Sequence, residues 1–359
     1  MMLSEVYYGT DKEFGFGSTS VVGQTAHRLR SIFRDLETSP RHFDFAEGYP
    51  PYESILMLDE QGSIKNRGAE DGGLGFVWDV EVEIRGIAGT PPPSSGNWTI
   101  NDVTVVEDSA LIINGSIIIN ETGALILKNS TIYMNLSYDG EHWIDVYGNL
   151  TVLGSLITAY NTSNNYYIRV FSGAKLCIEE SEITYAGYEW GTDGDHSGLY
   201  IRTHGAKIIN TTIHNSYYGV TIWNGSDIVI VGSTFSNNYG DGISLLYTNN
   251  ITIENSTTTN NGYQGIYMRG ANNTKIINNN ITNNAQNGIR HRHSYNTTIT
   301  HNYIDNHSWE GIYVDYSDNL TIKYNNITNS VKDGIQLYYS NNSIINNNVV
   351  TNNGYRGIY

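Results

Sequence analysis

Apolar and polar positions recur every 23 residues through the second half of the chain. Gly followed by Ile or Val occurs at this interval seven times from Gly219 to Gly357, and Gly198 is an earlier member of the series. Three columns of mostly aliphatic residues keep the same spacing. They are Val220, Ile243, Ile266, Ile289, Ile312, Ile335 and Ile358; Ile230, Ile253, Ile276, Ile299, Ile322 and Ile345; and Phe235, Thr258, Ile281, Ile304, Ile327 and Val350. Three apolar columns per period predict three short strands per coil, all facing one interior.

Asparagine fills two more columns with the same period. They are Asn237, Asn260, Asn283, Asn306, Asn329 and Asn352, and Asn250, Asn273, Asn296, Asn319 and Asn342. An asparagine tolerates left-handed backbone geometry, bonds its local backbone and can bond the identical amide one coil away. These columns therefore predict turns that stack into amide ladders. The glycine column marks a position that needs either a positive φ or a close approach of the next coil.

Stacking of these units predicts an all-β fold, a right-handed parallel β-helix with three short strands per 23-residue coil. Successive coils would lie about 4.8 Å apart, the ordinary spacing of strands in a sheet. Residues 98–204 contain shorter and less regular apolar runs, and the regular coils begin at about residue 205. We assign 98–359 to the β-helix, which leaves room for roughly eleven coils.

The N-terminal part of the chain does not repeat. Residues 1–88 contain "TAHRLRSIFRDLE", with apolar residues at helical spacing, and "GFVWDVEVEIR", which alternates like a half-buried strand. These patterns predict a small α+β segment of unknown role. Residues 89–97 have the Pro/Ser/Gly composition of a linker. The last residues fall inside a repeat, so we expect a truncated C-terminus whose open edge could stack on further coils or chains.

Composition narrows the function classes. A formal charge of −16 with 20 Lys+Arg argues against nucleic-acid binding, which needs a basic patch. Cys177 is the single cysteine, so no disulfide framework exists. There is no run of 18 apolar residues that would span a membrane, and the first residues lack the pattern of a signal peptide.

Asn-x-Ser/Thr sequons are unusually frequent. Eighteen of them begin between Asn97 and Asn341, about twice the number that the composition would give by chance. We therefore expect an N-glycosylated protein that is extracellular or at the cell surface, although no signal peptide is present in the sequence. The alternative is that strands rich in Thr follow turns rich in Asn, so that the repeat itself creates sequons.

The pattern Asn-x-x-Ile-x-x-Asn-x-Ile-x-x-Asn, followed by Gly-Ile-x-Val/Leu, resembles the parallel β-helix repeat proteins of the pectin-lyase-like superfamily. It is similar in particular to NosD-like repeats and to archaeal surface proteins built from them. The resemblance covers 205–359 strongly and 98–204 weakly, and 1–88 lie outside it. This superfamily includes polysaccharide lyases, hydrolases, uronate epimerases, adhesins and a copper-related accessory protein, so the resemblance implies a fold and leaves the function open.

In the superfamily that the sequence resembles, sugars usually lie along the strand that follows the Gly-Ile turn. The outward residues of that strand that we take as candidates for carbohydrate binding are Tyr200, Arg202, Trp223, Tyr267, Arg269, Arg290, Arg292, Tyr313, Asp315 and Tyr338. Aromatic faces stack on sugar rings, and guanidinium groups pair with carboxylate or sulfate. An acidic polysaccharide or a cell-envelope glycan is therefore the expected partner. The alternative is that these side chains only cover neighbouring strands with their apolar stems.

Three functions stay open. The leading hypothesis is a non-enzymatic surface protein, namely an envelope component, an adhesin or a carbohydrate-binding module. The second is a polysaccharide lyase or uronate epimerase, in which Arg290, Arg292, Tyr267 or His291 would neutralise a carboxylate or accept a proton, although His291 falls in an inward column. A hydrolase would need two carboxylates, and the candidate strand offers only Asp315. The third is a NosD-like copper-related accessory protein, which five methionines and the lack of a Met/His column disfavour.

We expect no cofactor, with calcium as the one exception. The segment "YEWGTDGDHSG" brings Glu189, Asp193 and Asp195 together in an acidic loop that contains glycine. Carboxylate and carbonyl oxygens in such loops bind calcium, but the spacing matches no EF-hand. The alternative is a solvated insertion.

Overall fold

The computed structural model describes residues 86–192 and 194–359, together with the backbone of 56–58 and 64–66. The helix predicted at 25–37 and the strand predicted at 75–85 lie outside these residues.

The chain divides into two units, 1–91 and 92–359. In the first unit Leu56–Leu58 pairs antiparallel with Ile64–Asn66, and Gly86–Ala88 is a further strand. The described residues contain no helix, and hence none long and apolar enough to cross a membrane.

Unit 92–359 consists of three parallel sheets, named here sheets 1, 2 and 3, and each coil contributes one strand to each. Sheet 1 comprises Trp98–Ile100, Ile117–Ile119, Trp143–Val146, Tyr167–Val170, Leu199–Ile201, Val220–Trp223, Ile243–Leu246, Ile266–Arg269, Ile289–Arg292, Ile312–Asp315 and Ile335–Tyr338. Sheet 2 comprises Val103–Glu107, Ala124–Lys128, Asn149–Leu153, Lys175–Glu179, Lys207–Ile209, Ser226–Val231, Asn249–Glu254, Lys275–Ile277, Thr298–Thr300, Thr321–Lys323 and Ile344–Asn346. Sheet 3 comprises Ala110–Ile113, Thr131–Met134, Leu156–Ala159, Glu182–Thr184, Thr212–His214, Thr234–Ser236, Thr257–Thr259, Asn280–Thr282, Tyr303–Asp305, Asn326–Thr328 and Val349–Thr351.

Like residues lie directly over one another in successive coils. Ile276 pairs in parallel with Ile299 in sheet 2, and Ile281 pairs with Ile304 in sheet 3. All four side chains are fully buried, and burial of each contributes about 1.5–3 kcal/mol. The prediction of an all-β, right-handed parallel β-helix with three strands per coil is therefore confirmed.

The two predicted asparagine columns lie at the turns between strands, except that Asn250 falls within the strand Asn249–Glu254. All eleven residues have φ between 52° and 59°, which is the left-handed region that Asn tolerates better than most residues. Asn306 donates from Nδ2 to Oδ1 of Asn283 at 2.6 Å, and Asn296 donates likewise to Asn273 at 3.2 Å. The predicted amide ladders thus exist on the surface.

A second kind of ladder, which the sequence patterns did not reveal, is buried at the corners of the coil. Its members in one corner are Asn279, Asn302, Asn325 and Asn348. Asn302 donates from Nδ2 to Oδ1 of Asn325 and to the carbonyl of Ile276, both at 2.9 Å. Asn238, Asn261 and Asn284 form another ladder of this kind. Backbone groups that the sheets leave unpaired at these corners are thereby satisfied.

The glycine column is explained by close approach of the backbone. Gly265, Gly288 and Gly311 do not have a positive φ. A Cβ added at Gly288 would lie 2.6 Å from the carbonyl oxygen of Gly311 in the next coil. Any side chain would therefore clash, and of the two reasons considered for this column only the close approach applies at these residues.

One coil is longer than the others. Ile168 and its strand partner Leu199 are 31 residues apart, compared with 23 in the regular coils. The extra residues form the 185–198 loop, which the structure describes except at 193. This loop folds over the outer face of sheet 1, where Ser197 Oγ lies 2.8 Å from Thr221 Oγ1 and the Trp190 and Tyr218 rings are 5.1 Å apart.

Candidate functional site

The candidate site is the outer face of sheet 1, on which side chains in register form two columns. The first column runs through Asp145, Arg169, Tyr200, Thr221, Ser244, Tyr267, Arg290, Tyr313 and Gln336. The second runs through Trp223, Leu246, Arg269, Arg292, Asp315 and Tyr338. Tyr267, Arg269, Arg290, Arg292, Tyr313, Asp315 and Tyr338 thus come together on four consecutive strands, and we call them the arginine–tyrosine cluster.

Tyr200, Arg202 and Trp223, the three candidates that precede Tyr267 in the chain, lie outside this cluster. Tyr200 is only 2% exposed, because the 185–198 loop covers this part of sheet 1. It therefore cannot offer its ring face to a ligand in this structure. Arg202 lies exposed just after its strand, and Trp223 is half-buried with its ring 5.4 Å from that of Tyr247.

Arg290 lies between two tyrosine rings at the centre of the cluster. Its Cζ is 5.9 Å from the centroid of Tyr267 in one neighbouring strand and 5.7 Å from that of Tyr313 in the other. Its Nε is buried and has no hydrogen-bond partner. Within the described part of the chain no carboxylate lies within ion-pair distance of this guanidinium. Arg290 therefore has no carboxylate partner, and because its Nε is buried an anion would have to bind at the outer nitrogens of its guanidinium.

Arg292, two residues later, is already engaged. Its Nε donates to both carboxylate oxygens of Asp315, at 3.1 and 3.0 Å. Asp315 is 5% exposed. Asp315 is consequently a structural partner of Arg292 in this structure and offers little surface to a ligand.

Aromatic side chains border the outer face of sheet 1 on both sides. At the edge next to sheet 2, the rings of His293 and Tyr316 stack at 5.2 Å and those of Tyr316 and Tyr339 at 5.0 Å. At the edge next to sheet 3, the rings of Tyr217 and Tyr239 stack at 5.0 Å. Tyr239 and Tyr339 are more than half exposed. The two borders present aromatic rings to a ligand on the face between them.

These aromatic borders were not predicted, although a sequence signal for one of them exists. Tyr247, His293, Tyr316 and Tyr339 recur at the 23-residue period or twice that, directly after the strands of sheet 1. All four have a positive φ of 45° to 55°. Asn or Gly would fit that backbone with less strain, and such strain often accompanies function.

A column of buried polar residues immediately before the glycines was also missed. Its members are Asp241, Gln264, Asn287, Glu310 and Asp333. Glu310 accepts a hydrogen bond from Asn287 Nδ2 at 2.8 Å and lies 3.4 Å from Lys332 Nζ. These carboxylates precede the strand, so they add to Asp315, which is the one carboxylate that we expected among the outward residues after the glycines.

Asp241 is the most perturbed carboxyl group of this column. Burial raises its pKa to about 7, although hydrogen bonds from Ser244 Oγ and the Gln264 backbone N–H, together with the charge of Arg290, act in the opposite direction. The carboxyl group is bonded to Ser244 on the outer face of sheet 1. It is 3% exposed, so it lies beneath the surface of the candidate site.

A further arginine on this face, Arg169, was also missed. It forms a two-point ion pair with Asp145, at 2.7 and 2.8 Å, and its Cζ lies 5.1–5.9 Å from the ring centroids of Trp143, Tyr167 and Phe171. Because its charge is paired, Arg169 is a poorer receptor for an anion than Arg290.

The remaining candidates lie apart from the cluster. His291 points inward, as predicted, and is fully buried. Its Nε2 contacts Thr297 Oγ1 at 2.9 Å, and burial lowers its pKa to about 3. Glu189 contacts His196 Nδ1 at 3.0 Å, and Asp195 Oδ2 is 3.9 Å from Arg169 Nη1. Asp193 lies outside the described residues, which contain no group of three or more His, Cys, Asp or Glu that could hold a metal. Calcium binding stays a prediction.

Known proteins match this chain in fold. The family model described as "Right handed beta helix region" matches residues 115–290 and 248–359. A point mutant of the periplasmic alginate epimerase AlgG superposes with a TM-score of 0.63 at 19% identity, covering 72% of this chain and 65% of that chain. This chain therefore spans less than two thirds of that neighbour's length.

Two further structures are similar at lower scores. A second AlgG structure has a TM-score of 0.50 at 15% identity, covering 72% of this chain and 77% of that chain. The surface protein and adhesin PfbA of Streptococcus pneumoniae has a TM-score of 0.44 at 12% identity, covering 74% and 89%. No curated protein matches the sequence. At such identities these likenesses show the fold alone.

Proposed function

The chain belongs to the family of right-handed β-helix proteins, and on that premise we propose that it is an extracytoplasmic, cell-surface protein that binds an acidic polysaccharide through the arginine–tyrosine cluster. Such a protein would serve as an envelope component, an adhesin or a carbohydrate-binding module.

The observation that carries this proposal is the state of Arg290. Its guanidinium has no carboxylate partner among the described residues and lies between the rings of Tyr267 and Tyr313. A guanidinium between two rings is only partly solvated, and a sugar carboxylate or sulfate would pair with its charge through the outer nitrogens. In a chain with a formal charge of −16, an available cation of this kind is a specific feature rather than part of a basic surface.

The surroundings of Arg290 support a linear sugar polymer as the ligand. The four strands of the cluster extend about 14 Å along the axis, since strands lie about 4.8 Å apart. Arg269 is exposed one coil from Arg290, with its Cζ 5.9 Å from the Tyr247 ring centroid. The aromatic borders offer surfaces on which sugar rings can stack. A flexible chain of rings with regularly spaced negative charges fits this arrangement.

A lyase or uronate epimerase is the second candidate, and Asp241 favours it. Both reactions need a cation that neutralises the uronate carboxylate and a group that exchanges a proton near neutral pH. Arg290 and Asp241, whose pKa burial raises to about 7, have those properties on one face. The burial of Asp241 separates it from a ligand at the surface, and for that reason we rank binding first.

Binding measurements on immobilised polysaccharides test the proposal. We expect the protein to bind a polyuronate and not a neutral glucan, and Arg290→Gln to weaken binding about tenfold to a hundredfold, because a charge-assisted hydrogen bond contributes about 1.5–3 kcal/mol. Lys275→Gln, which removes the same charge from an exposed position on sheet 2, is the matched control and should bind normally. Equal effects of the two substitutions, or no preference for the polyuronate, would contradict the proposal. Ultraviolet absorbance from unsaturated uronate products would favour a lyase instead.

A further inference from the structure

The fold sorts the asparagines of this protein into two groups. The eighteen sequon asparagines all lie within the described residues; sixteen are exposed, and Asn120 and Asn272 are half-buried. The buried asparagines are Asn238, Asn261, Asn279, Asn284, Asn287, Asn302 and Asn325. None of these seven is followed by x-Ser or x-Thr. Two residues after Asn279, Asn302 and Asn325 the chain has the inward isoleucines of the third apolar column, so the sequons fall on the exposed asparagines alone.

The sequons are also unevenly distributed over the three faces. No strand of sheet 1 within the described residues contains a sequon asparagine, and the three that directly adjoin its strands, Asn97, Asn120 and Asn224, lie outside the four strands of the arginine–tyrosine cluster. Two of them, Asn280 and Asn326, lie exposed on sheet 3, two coils apart. Another group lies at or just before the start of the sheet 2 strands, namely Asn250, Asn272, Asn296, Asn319 and Asn341.

We infer that N-linked glycans are attached to sheet 3 and to the leading edge of sheet 2, and that they leave the arginine–tyrosine cluster on sheet 1 bare. This inference rests on the proposed extracytoplasmic location. In the attachment, Nδ2 of the asparagine bonds to the anomeric carbon of an oligosaccharide, whose bond to a lipid-linked diphosphate donor breaks. The amide proton leaves with the released diphosphate. An oligosaccharyltransferase of the producing cell supplies the donor and the catalysis.

The physical reason for keeping glycans away from the arginine–tyrosine cluster is steric. An N-linked glycan is bulky and strongly hydrated, and on sheet 1 it would compete with a polysaccharide for the aromatic borders and Arg290. On sheet 3 it projects from a different face of the three-sided coil. The sequon Thr282 is half-buried, and its Oγ1 lies 3.0 Å from Thr259 Oγ1 in the adjacent coil, so it can be changed conservatively without disturbing the core.

Glycopeptide mapping of the full chain, isolated from the cells that produce it, tests the inference. We expect an intact mass above that of the sequence and glycan on peptides that contain Asn280 and Asn326. Thr282→Ala should abolish the glycan at Asn280, whereas Thr282→Ser, which keeps the sequon, should retain it. Enzymatic removal of all glycans should change the affinity for a polyuronate less than twofold.

The outcomes separate this inference from the proposed function. An intact mass equal to that of the sequence would overturn the glycosylation, whether or not a polyuronate binds. A gain in polyuronate affinity of fivefold or more after deglycosylation would overturn the inference that the arginine–tyrosine cluster is bare, because glycans would then be covering it. Glycans at the expected sites in a protein that binds no polyuronate would overturn the proposed function alone.

Discussion

Replacement of Asn302 by Ala tests whether the buried amide ladders hold the coils together. The Asn302 side chain is 2% exposed. Its Nδ2 donates to the carbonyl of Ile276 and to Asn325 Oδ1, and its Oδ1 accepts from the backbone N–H and Nδ2 of Asn279, all at 2.9–3.0 Å. The substitution removes four hydrogen bonds and leaves their partners in a closed corner of the coil.

The expected loss of stability follows from the number of hydrogen bonds removed. A hydrogen bond contributes about 1 kcal/mol net, and a buried group left unpaired costs about 1–3 kcal/mol. Entry of water at the corner would recover part of this, so we expect Asn302→Ala to lower the free energy of unfolding by about 3–5 kcal/mol. Asn302→Ser should lose less, because Ser256 occupies the equivalent position one coil before Asn279 and accepts from a backbone N–H in the same way.

Urea denaturation followed by circular dichroism measures the change. The matched control is Asn280→Ala, at an exposed position on sheet 3, which we expect to stay within about 0.5 kcal/mol of the wild type. If Asn302→Ala were no more destabilising than Asn280→Ala, the ladders would not be the source of stability that we assign to them.

Three further predictions concern the glycine column and two buried titratable groups. Gly288→Ala should lower the free energy of unfolding by about 2–3 kcal/mol, because its Cβ would lie 2.6 Å from the Gly311 carbonyl oxygen and overpacking costs about that much. Gly357→Ala is the control and should change thermal unfolding little, because the closest contact of its Cβ would be at 3.8 Å. Equal effects of the two substitutions would refute close approach as the explanation of the glycine column. The raised pKa of Asp241, about 7, lies above the ~3.9 of an unfolded aspartate, so its contribution to stability is complete below about pH 4 and lost as the pH rises through 7. Relative to wild type, Asp241→Asn should therefore gain more stability at pH 8 than at pH 5, and urea midpoints that shift equally at both pH values would argue against it. Burial lowers the pKa of His291 to about 3, so the contribution of neutral His291 to stability is present above about pH 6.5 and lost as the pH falls. His291→Met, which copies Met268 one coil before, should reduce the acid-induced loss of stability. An unchanged slope of the unfolding free energy against pH below 6.5 would contradict the lowered pKa.

The fold was readable from the sequence because the coils stack in register. When each residue contacts its own equivalent in the next coil, as Ile276 contacts Ile299, the constraint on one position repeats at every period. The buried ladders escaped notice because pairs such as Asn278-Asn279 look alike in sequence. The first residue has a φ of 55° and the second points inward, a difference that only the turn geometry reveals.

The candidate site was predictable only in part. The alternation of inward and outward residues brings Arg290 and Tyr313 to one face, and that follows from the period. The period does not determine which side chains pair with each other. The ion pair between Arg292 and Asp315, and the lack of a carboxylate partner for Arg290 among the described residues, were therefore not predicted. The 185–198 loop was visible as an insertion, but its path over Tyr200 depends on contacts between Trp190 and Tyr218 that no spacing specifies.

In-register stacking also determines how proteins of this design can change in size. Insertion or removal of a whole 23-residue unit leaves every other coil next to an equivalent coil. It changes the length of the β-helix by one strand spacing, about 4.8 Å. Insertion of one residue within a strand would instead turn its isoleucines toward solvent. Duplication of complete units is therefore the natural route by which such a protein acquires a longer or shorter contact with a polymer.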